Sequence, residues 1–334
     1  LIEGGKANGA TNLTVSGKKV DASKVTAADI VGGVDALTGK ETGLELVRQI
    51  YPRFGMTPGI LLAPGWSHNP TVAAALQAKT EGINGNFDCV TYLDISTDPE
   101  EDGAEVYTDV KTAKEALGAT SPHAAALWPM GAVGDKIYYL SAMFAAMTAY
   151  TDAGNSDVPY ESPSNKDLKI TATVLKDGTE ILLDQQQAND LLNANGVITA
   201  INANGYKAWG NNTAAYPSTT DPKDRWLAVR RFFDWDGNNF ILTYFQKADK
   251  PGNTRLIQSI VDSQNIIGNG YVARDYCAGY RTEFKSDENP ITNLLAGHLT
   301  THTYLAPYIP AEYIENIREY DTKALEAALT GGGE

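Results

Sequence analysis

Several short patterns in this chain place chemically capable residue types at spacings that chemistry could use. Gly33-Val34-Asp35-Ala36-Leu37-Thr38-Gly39-Lys40 approaches a phosphate-binding loop, in which backbone N–H groups cradle phosphates and a Ser or Thr after the Lys holds the metal. Here the glycines stand one residue too far apart, and the Glu41 carboxylate after the Lys would repel phosphate. That stretch reads as a turn. Gly65-Trp66-Ser67-His68-Asn69 resembles a nucleophile elbow, but the Gly that permits the sharp turn is replaced by Asn69, with Pro70 after it. Ser67 therefore reads as a helix cap.

Two further patterns fail at named positions. His298 and His302 have the spacing of a zinc helix, yet Leu299 stands where the general-base Glu belongs. Their threonine-rich flanks favour a strand, where positions four apart lie about 13 Å from each other, too far for one metal. Asp234-Trp235-Asp236-Gly237-Asn238 begins like a calcium loop, but its Gly comes early and Phe245 occupies the bidentate Glu position. A hairpin turn between Arg230–Phe233 and Phe240–Phe245 is the expectation. His68 and His123 stand alone, and no metal or cofactor site is expected. A hydrolase resting on Asp94, Ser67 or Ser141 is the competing reading.

The elements that would position these residues begin with a turn-rich stretch, residues 1–43, containing Gly4-Gly5, Asn12-Leu13-Thr14-Val15 and one possible helical turn at Thr26–Asp29. From 44 to 195 the pattern is α/β. Leu44, Val47, Ile50 and Tyr51 recur at helical spacing, closed by Pro52, and Gly59–Pro64 is a short buried strand. A helix capped by Ser67 or Asn69 follows, with Pro70 in its first turn. Strands at Cys89–Ile95 and Ala124–Trp128 and a helix at Ile137–Tyr150 complete a strand–helix alternation that argues for a mostly parallel sheet. A polar loop (151–167), a strand (Leu168–Leu175) and a helix from Asp184 to the Asn195-Gly196 stop come next. The region 196–311 reads as α+β, with strands at Val197–Ile201, Lys207–Trp209, Leu227–Phe233, Arg274–Phe284 and His298–Leu305. Asn253–Ile267 is an amphipathic helix. Residues 312–334 form a C-terminal arm, extended or weakly helical over Tyr313–Tyr320, and a Gly331-Gly332-Gly333 tail.

Composition narrows the partners. The 334 residues carry 41 acidic and 27 basic side chains, a formal charge of −14, which disfavours nucleic acid and anionic membranes because phosphate binding rests on Lys and Arg. The apolar fraction of 43% is that of an ordinary globular protein, and no run approaches the roughly 18 apolar residues of a membrane helix. Cys89 and Cys277 read as buried free thiols rather than a disulfide framework.

Several stretches together resemble the phage contractile tail-sheath family. One runs from Val31-Gly32-Gly33-Val34-Asp35 through Thr38-Gly39-Lys40-Glu41-Thr42-Gly43-Leu44 to Pro58-Gly59-Ile60-Leu61-Leu62-Ala63-Pro64-Gly65. Another joins Asn195-Gly196-Val197 to Gly205-Tyr206-Lys207-Ala208-Trp209-Gly210-Asn211-Asn212-Thr213. The third comprises Val229-Arg230-Arg231-Phe232-Phe233, Asp287-Glu288-Asn289-Pro290 and Ala296-Gly297-His298-Leu299. Their order and spacing span roughly residues 25–325. Gly33, Asp35, Gly39, Pro64, Trp209, Gly210, Asn211 and Thr213 are the motif positions expected to be structural.

That resemblance implies a subtilisin-like middle region without a catalytic triad. Asp94 lies in a strand like the one that carries a subtilase aspartate, and Ser141 where the serine helix would open. The His-Gly-Thr segment has no counterpart, and Leu140 replaces the expected lead-in. It further implies a structural subunit that polymerises around an inner tube, contracts, and meets baseplate and tail-terminator proteins in a virion assembled in the bacterial cytoplasm. Subunits would be linked by arms that add strands to a neighbour's sheet. Glu312–Tyr320 matches the C-terminal arm, anchored by Tyr313, Ile314, Ile317 and Tyr320, and Asp287 and Glu288 are candidates for contact with a basic tube. The family's N-terminal arm would lie before Leu1, so the expectation is a truncated subunit that is mostly monomeric by itself.

Overall fold

The structure, a computed structural model, describes residue 17 and residues 21–331; the expected pieces at Gly4-Gly5 and Asn12–Val15 and the tail glycines Gly332-Gly333 lie outside the described residues. Thr26 and Asp29 form a reciprocal capping box that starts α1 (Ala27–Val31). β1 (Gly33–Val34) pairs antiparallel with β2 (Glu41–Thr42) around a turn in which the Asp35 carboxylate accepts hydrogen bonds from the Leu37 and Thr38 N–H groups at 2.9 and 2.7 Å. The turn expected of Gly33–Lys40 is present. A 3₁₀ stretch leads into α2 (Ile50–Phe54), which runs through Pro52 and stops instead at Gly55. Pro52 is accommodated because the first turn of a helix has no N–H partner to lose.

Next come β3 (Ile60–Leu62), α3 (Pro70–Ala78), β4 (Val90–Asp94), α4 (Val110–Leu117) and β5 (Ala124–Leu127). β6 (Met130–Val133), β7 (Lys136–Tyr138) and β8 (Ala172–Val174) make a small antiparallel sheet, with α5 (Leu140–Gly154) inserted between β7 and β8. The helix expected from Ile137 thus starts at Leu140, because residues 136–138 pair with β6. Asp184 caps α6 (Gln185–Gln187), which continues as irregular helix to Asn195 and Gly196. β9 (Val197–Asn202) and β10 (Tyr206–Trp209) follow.

The central sheet has the order β10-β9-β5-β4-β3, parallel throughout except for β10 at one edge. Its middle strands are buried on both faces, as a sheet covered by helices requires. Alternation sorts the side chains: Leu93, Ala124, Ala126, Val197 and Ile201 pack with Val72, Leu76, Val110 and Leu117 of α3 and α4. Val90, Tyr92, Ala125, Leu127, Ile198 and Ala200 face Leu140 and Phe144 of α5. A boundary at 195/196 cuts this sheet, since β9 and β10 belong to it.

Beyond the sheet, α7 (Pro222–Arg225) and α8 (Leu227–Tyr244) replace the strand expected at Leu227–Phe233 and the hairpin around Asp234–Asn238. A short apolar run cannot be told from buried helix by periodicity. Here Leu227 enters the sheet core while Phe232 packs with Cys277 and Tyr280. α9 (Thr254–Ala273) covers β11 (Cys277–Glu283), which pairs antiparallel with β12 (His302–Pro307); α10 (Ile291–Leu295) lies in the connection. Gly268 permits the close approach of α9 to β11: a Cβ there would stand 2.0 Å from the Tyr280 ring. Residues 311–321 run extended and α11 (Thr322–Thr330) follows, capped by Asp321; every residue from 311 to 330 is exposed.

Candidate functional site

Asp94, Ser67 and Ser141, separate in sequence, meet at the carboxyl end of β4. Asp94 Oδ2 accepts hydrogen bonds from Ser67 Oγ at 2.8 Å and Ser141 Oγ at 2.6 Å. Oδ1 accepts the Ser141 backbone N–H at 2.9 Å, and Ser67 Oγ accepts the Asp94 N–H at 3.0 Å. All three residues are buried. Burial pushes the Asp94 carboxyl above its ordinary pKa, against the hydrogen bonds from Ser141 and Ser67 that lower it. Ser67 is not the helix cap: Asn69 Oδ1 fills that role for Thr71 and Val72.

A serine nucleophile needs a base on its hydroxyl. Among the described residues, no imidazole is hydrogen-bonded to either Oγ, and both hydroxyls donate to the carboxylate. His68 stacks on Tyr139 at 5.9 Å, and its Nε2 faces Glu101 at 3.5 Å. The arrangement ties three segments together: the turn after Pro64, the end of β4, and the start of α5. Pro64 occupies that turn, in which the Ala63 carbonyl accepts from Trp66 and Ser67.

His123 is not solitary. Its Nδ1 lies 3.1 Å from both the Cys89 carbonyl and Asp234 Oδ2, and its Nε2 lies 3.5 Å from Glu81. Burial works against the imidazolium, but the hydrogen bond and charge of Asp234 prevail and raise the pKa. Arg230 Nε reaches Asp234 Oδ1 at 3.0 Å, and its Nη1 reaches Asp224 at 3.1 Å. Two positions along α8, on the opposite side, Asp236 accepts from the Tyr280 hydroxyl at 3.0 Å. Burial raises the Asp236 carboxyl to about 6.

The two C-terminal histidines do not share a strand: His298 lies in the turn after α10, whereas His302 opens β12 and faces Glu288 at 2.8 Å. Among the described residues, no three His, Cys, Asp or Glu side chains cluster to hold a metal. Glu288 also pairs with Lys285 at 3.3 Å, while Asp287 is exposed. Both cysteines are buried and free.

The second motif converges on the root of the C-terminal arm. Trp209 Nε1 donates to Asn189 Oδ1 at 2.7 Å, and the Gly210 N–H donates to Ser164 Oγ at 3.0 Å. Gly210 has φ +138, and a Cβ there would lie 2.7 Å from the Asn193 side-chain amide, so only glycine fits. The Asn211 carbonyl receives the Leu227 N–H at 2.8 Å, and the Thr213 N–H donates to the Arg225 carbonyl at 2.7 Å. These bonds lock β10 to the start of α8. A cleft of about 810 Å³ opens here, with Trp209 and Asn211 on one side and Tyr308–Tyr313 on the other. Arg225 bridges it by pairing with Glu312 at 3.0 Å. The sequence singled out neither Arg225 nor Tyr280, and it marked Asp236 only as part of a calcium-loop-like run.

Past Glu312 the arm stands free. Tyr313, Ile314, Ile317 and Tyr320 are 82%, 85%, 78% and 74% exposed, so the anchors expected of the arm touch little of their own chain. Close to its root, β11 and β12 form a sheet that has two strands among the described residues.

This fold is that of contractile sheath proteins. It superposes on the contracted sheath of an extracellular contractile injection system (PVC) with a TM-score of 0.66 and 19% identity, covering 85% of this chain and 76% of that one. The baseplate structure of the anti-feeding prophage gives 0.65 and 18%, covering 84% and 73%. In sequence the chain resembles the phage contractile tail-sheath family. It is 28% identical over 310 residues to the tail sheath protein of Burkholderia phage BcepMu, covering 90% of this chain and 63% of that protein. It is 25% identical over 315 residues to the tail sheath protein of Escherichia phage P2, covering 91% and 74%. A putative prophage major tail sheath protein of Pseudomonas aeruginosa is 30% identical over 224 residues, 66% of this chain and 53% of its own length. No family model matches the chain.

Proposed function

We propose that this chain is a structural subunit of a contractile tail sheath, one that polymerises helically around an inner tube and contracts to drive it through a host envelope. The observation that carries this reading is the pairing, on a sheath fold, of an exposed apolar arm with an unfinished two-stranded sheet. Burying Tyr313, Ile314, Ile317 and Tyr320 requires another surface, and open strand edges offer unpaired N–H and C=O groups to an added strand. A second copy supplies both, in a head-to-tail contact that generates a filament rather than a closed pair. The inner tube, the baseplate and the tail terminator are the further partners, and the phage tail is its place, assembled in the host cytoplasm. Asp287 remains a candidate for contact with a basic tube surface, Glu288 less so because it faces His302 and Lys285.

The middle region is read as a subtilisin-like α/β unit in which Asp94, Ser67 and Ser141 hold the fold together and carry no catalysis. Electron microscopy of the full-length protein at high concentration tests the reading. Striated sleeves are expected. Dispersed particles at every concentration, together with stoichiometric labelling by a fluorophosphonate, would overturn it in favour of a hydrolase.

A further inference from the structure

Glu312 carries the last bond between the arm and the body. Among the described residues, no side-chain hydrogen bond or ion pair joins residues 313–330 to anything before them. The group that receives Glu312 is held in place beforehand. The Arg225 guanidinium lies over the Trp226 ring at 4.1 Å and the Tyr216 ring at 4.5 Å, and its Nε donates to Asn212 Oδ1 at 3.0 Å. Asn212 is itself buried, with its Nδ2 donating to the Asn193 carbonyl at 3.0 Å. Ring stacking, the amide and the backbone bond from Thr213 leave one end of the guanidinium for the arm. Pro310 stiffens the segment just before the contact.

We infer that Arg225 and Glu312 form a releasable latch that sets the direction in which the arm leaves the body, and so which neighbouring copy of this chain it reaches. The destination of the arm rests on the sheath reading; the latch itself does not. The seat is rigid and the pair is partly solvated, so the contact biases the arm without locking it. Breaking such a pair changes the ratio of held to released arms about two- to fivefold. Salt screens it, since the Debye length falls to about 3 Å at 1 M.

The test places spin labels at Gln185→Cys on α6 and Glu319→Cys on the arm, in chains diluted below association, and measures the distance distribution between them. Both positions are exposed, and the native cysteines are buried. Low salt is expected to give one dominant distance. Glu312→Gln, which alters only the arm, should raise the ratio of released to held arms about two- to fivefold, and Glu312→Lys should raise it further. At 1 M salt the parent should converge on the Glu312→Gln distribution. Identical low-salt distributions in parent and Glu312→Gln overturn the latch. If Glu312→Lys frees the arm but sleeves keep their helical geometry in electron micrographs, the latch does not choose the neighbour, and that part of the inference fails. Failure of the full-length protein to form sleeves would count against the sheath reading and leave the single-chain measurement standing.

Discussion

Replacing Asp236 with Asn should make the protein more stable at neutral pH, and the gain should disappear in acid. Asp236 sits between α8 and β11, where burial lifts its carboxyl from the ordinary 3.8 to about 6. Its partner Tyr280 donates to it and accepts from Gln264, and burial and the nearby Asp236 charge hold the tyrosine proton in place. The folded chain therefore binds a proton at Asp236 more tightly than the unfolded chain does. The stability that depends on this proton is complete below pH ~4 and is lost as pH rises through about 6. A difference of about two pKa units corresponds to about 3 kcal/mol at pH 8. Asn keeps an acceptor oxygen for Tyr280 and carries no charge at any pH. Urea unfolding of parent and Asp236→Asn, followed by circular dichroism at several pH values, reads the difference. The gap in favour of Asn should widen by about 2 kcal/mol between pH 4.5 and pH 8. A gap that stays constant across pH, or a variant less stable than the parent at pH 8, would refute the assignment of a buried, proton-holding carboxyl.

Other substitutions probe the remaining joints. Asp94→Ala strands two buried hydroxyls and the Ser141 N–H, and should cost about 3 kcal/mol or more in thermal or urea unfolding. Ser141→Ala should be milder, and neither it nor the parent should react with a fluorophosphonate, as judged by intact mass. Gly268→Ala drives a methyl group into the Tyr280 ring, and the clash should outweigh the helix-propensity gain, with a net loss of roughly 1–3 kcal/mol. Changing Tyr313, Ile314, Ile317 and Tyr320 together to Ser should leave the unfolding free energy within about 0.5 kcal/mol of the parent, because all four are exposed, while abolishing the sleeves of the full-length protein in micrographs.

The parallel strands were legible because buried strands are short apolar runs, and Ile60–Leu62, bounded by Gly59 and Pro64, Val90–Asp94 and Ala124–Leu127 fit that description. The Asn195-Gly196 stop and the Asp184 cap were legible for the same local reason. α8 was not. Leu227–Phe233 looks like a strand with two arginines in it, and what makes those arginines tolerable in a buried helix is remote. Arg231 pairs with Asp152, 79 positions earlier, while Arg230 pairs with Asp224 and Asp234. Of these only Asp234, four positions beyond Arg230, has a spacing that could have betrayed a helix. The seat of Glu312 was invisible because Arg225 lies 87 positions before it and nothing periodic links them. Asp94, Ser67 and Ser141 were each noticed for the chemistry they could do, yet not as one another's partners, since fold topology alone brings them together.

α8 has a mechanical consequence. Its 18 residues make a rod about 27 Å long. Along that length it is braced to α5 through Arg231 and Asp152, to the residue before β5 through Asp234 and His123, to the approach to β4 through Asn238 and Asp88, and to β11 through Asp236 and Tyr280. A girder fastened at so many points resists bending and transmits load from one end to the other. A push on the β11–β12 sheet thus has a continuous, side-chain-braced path to the central sheet, whereas residues 313–330, all exposed, have no such bracing.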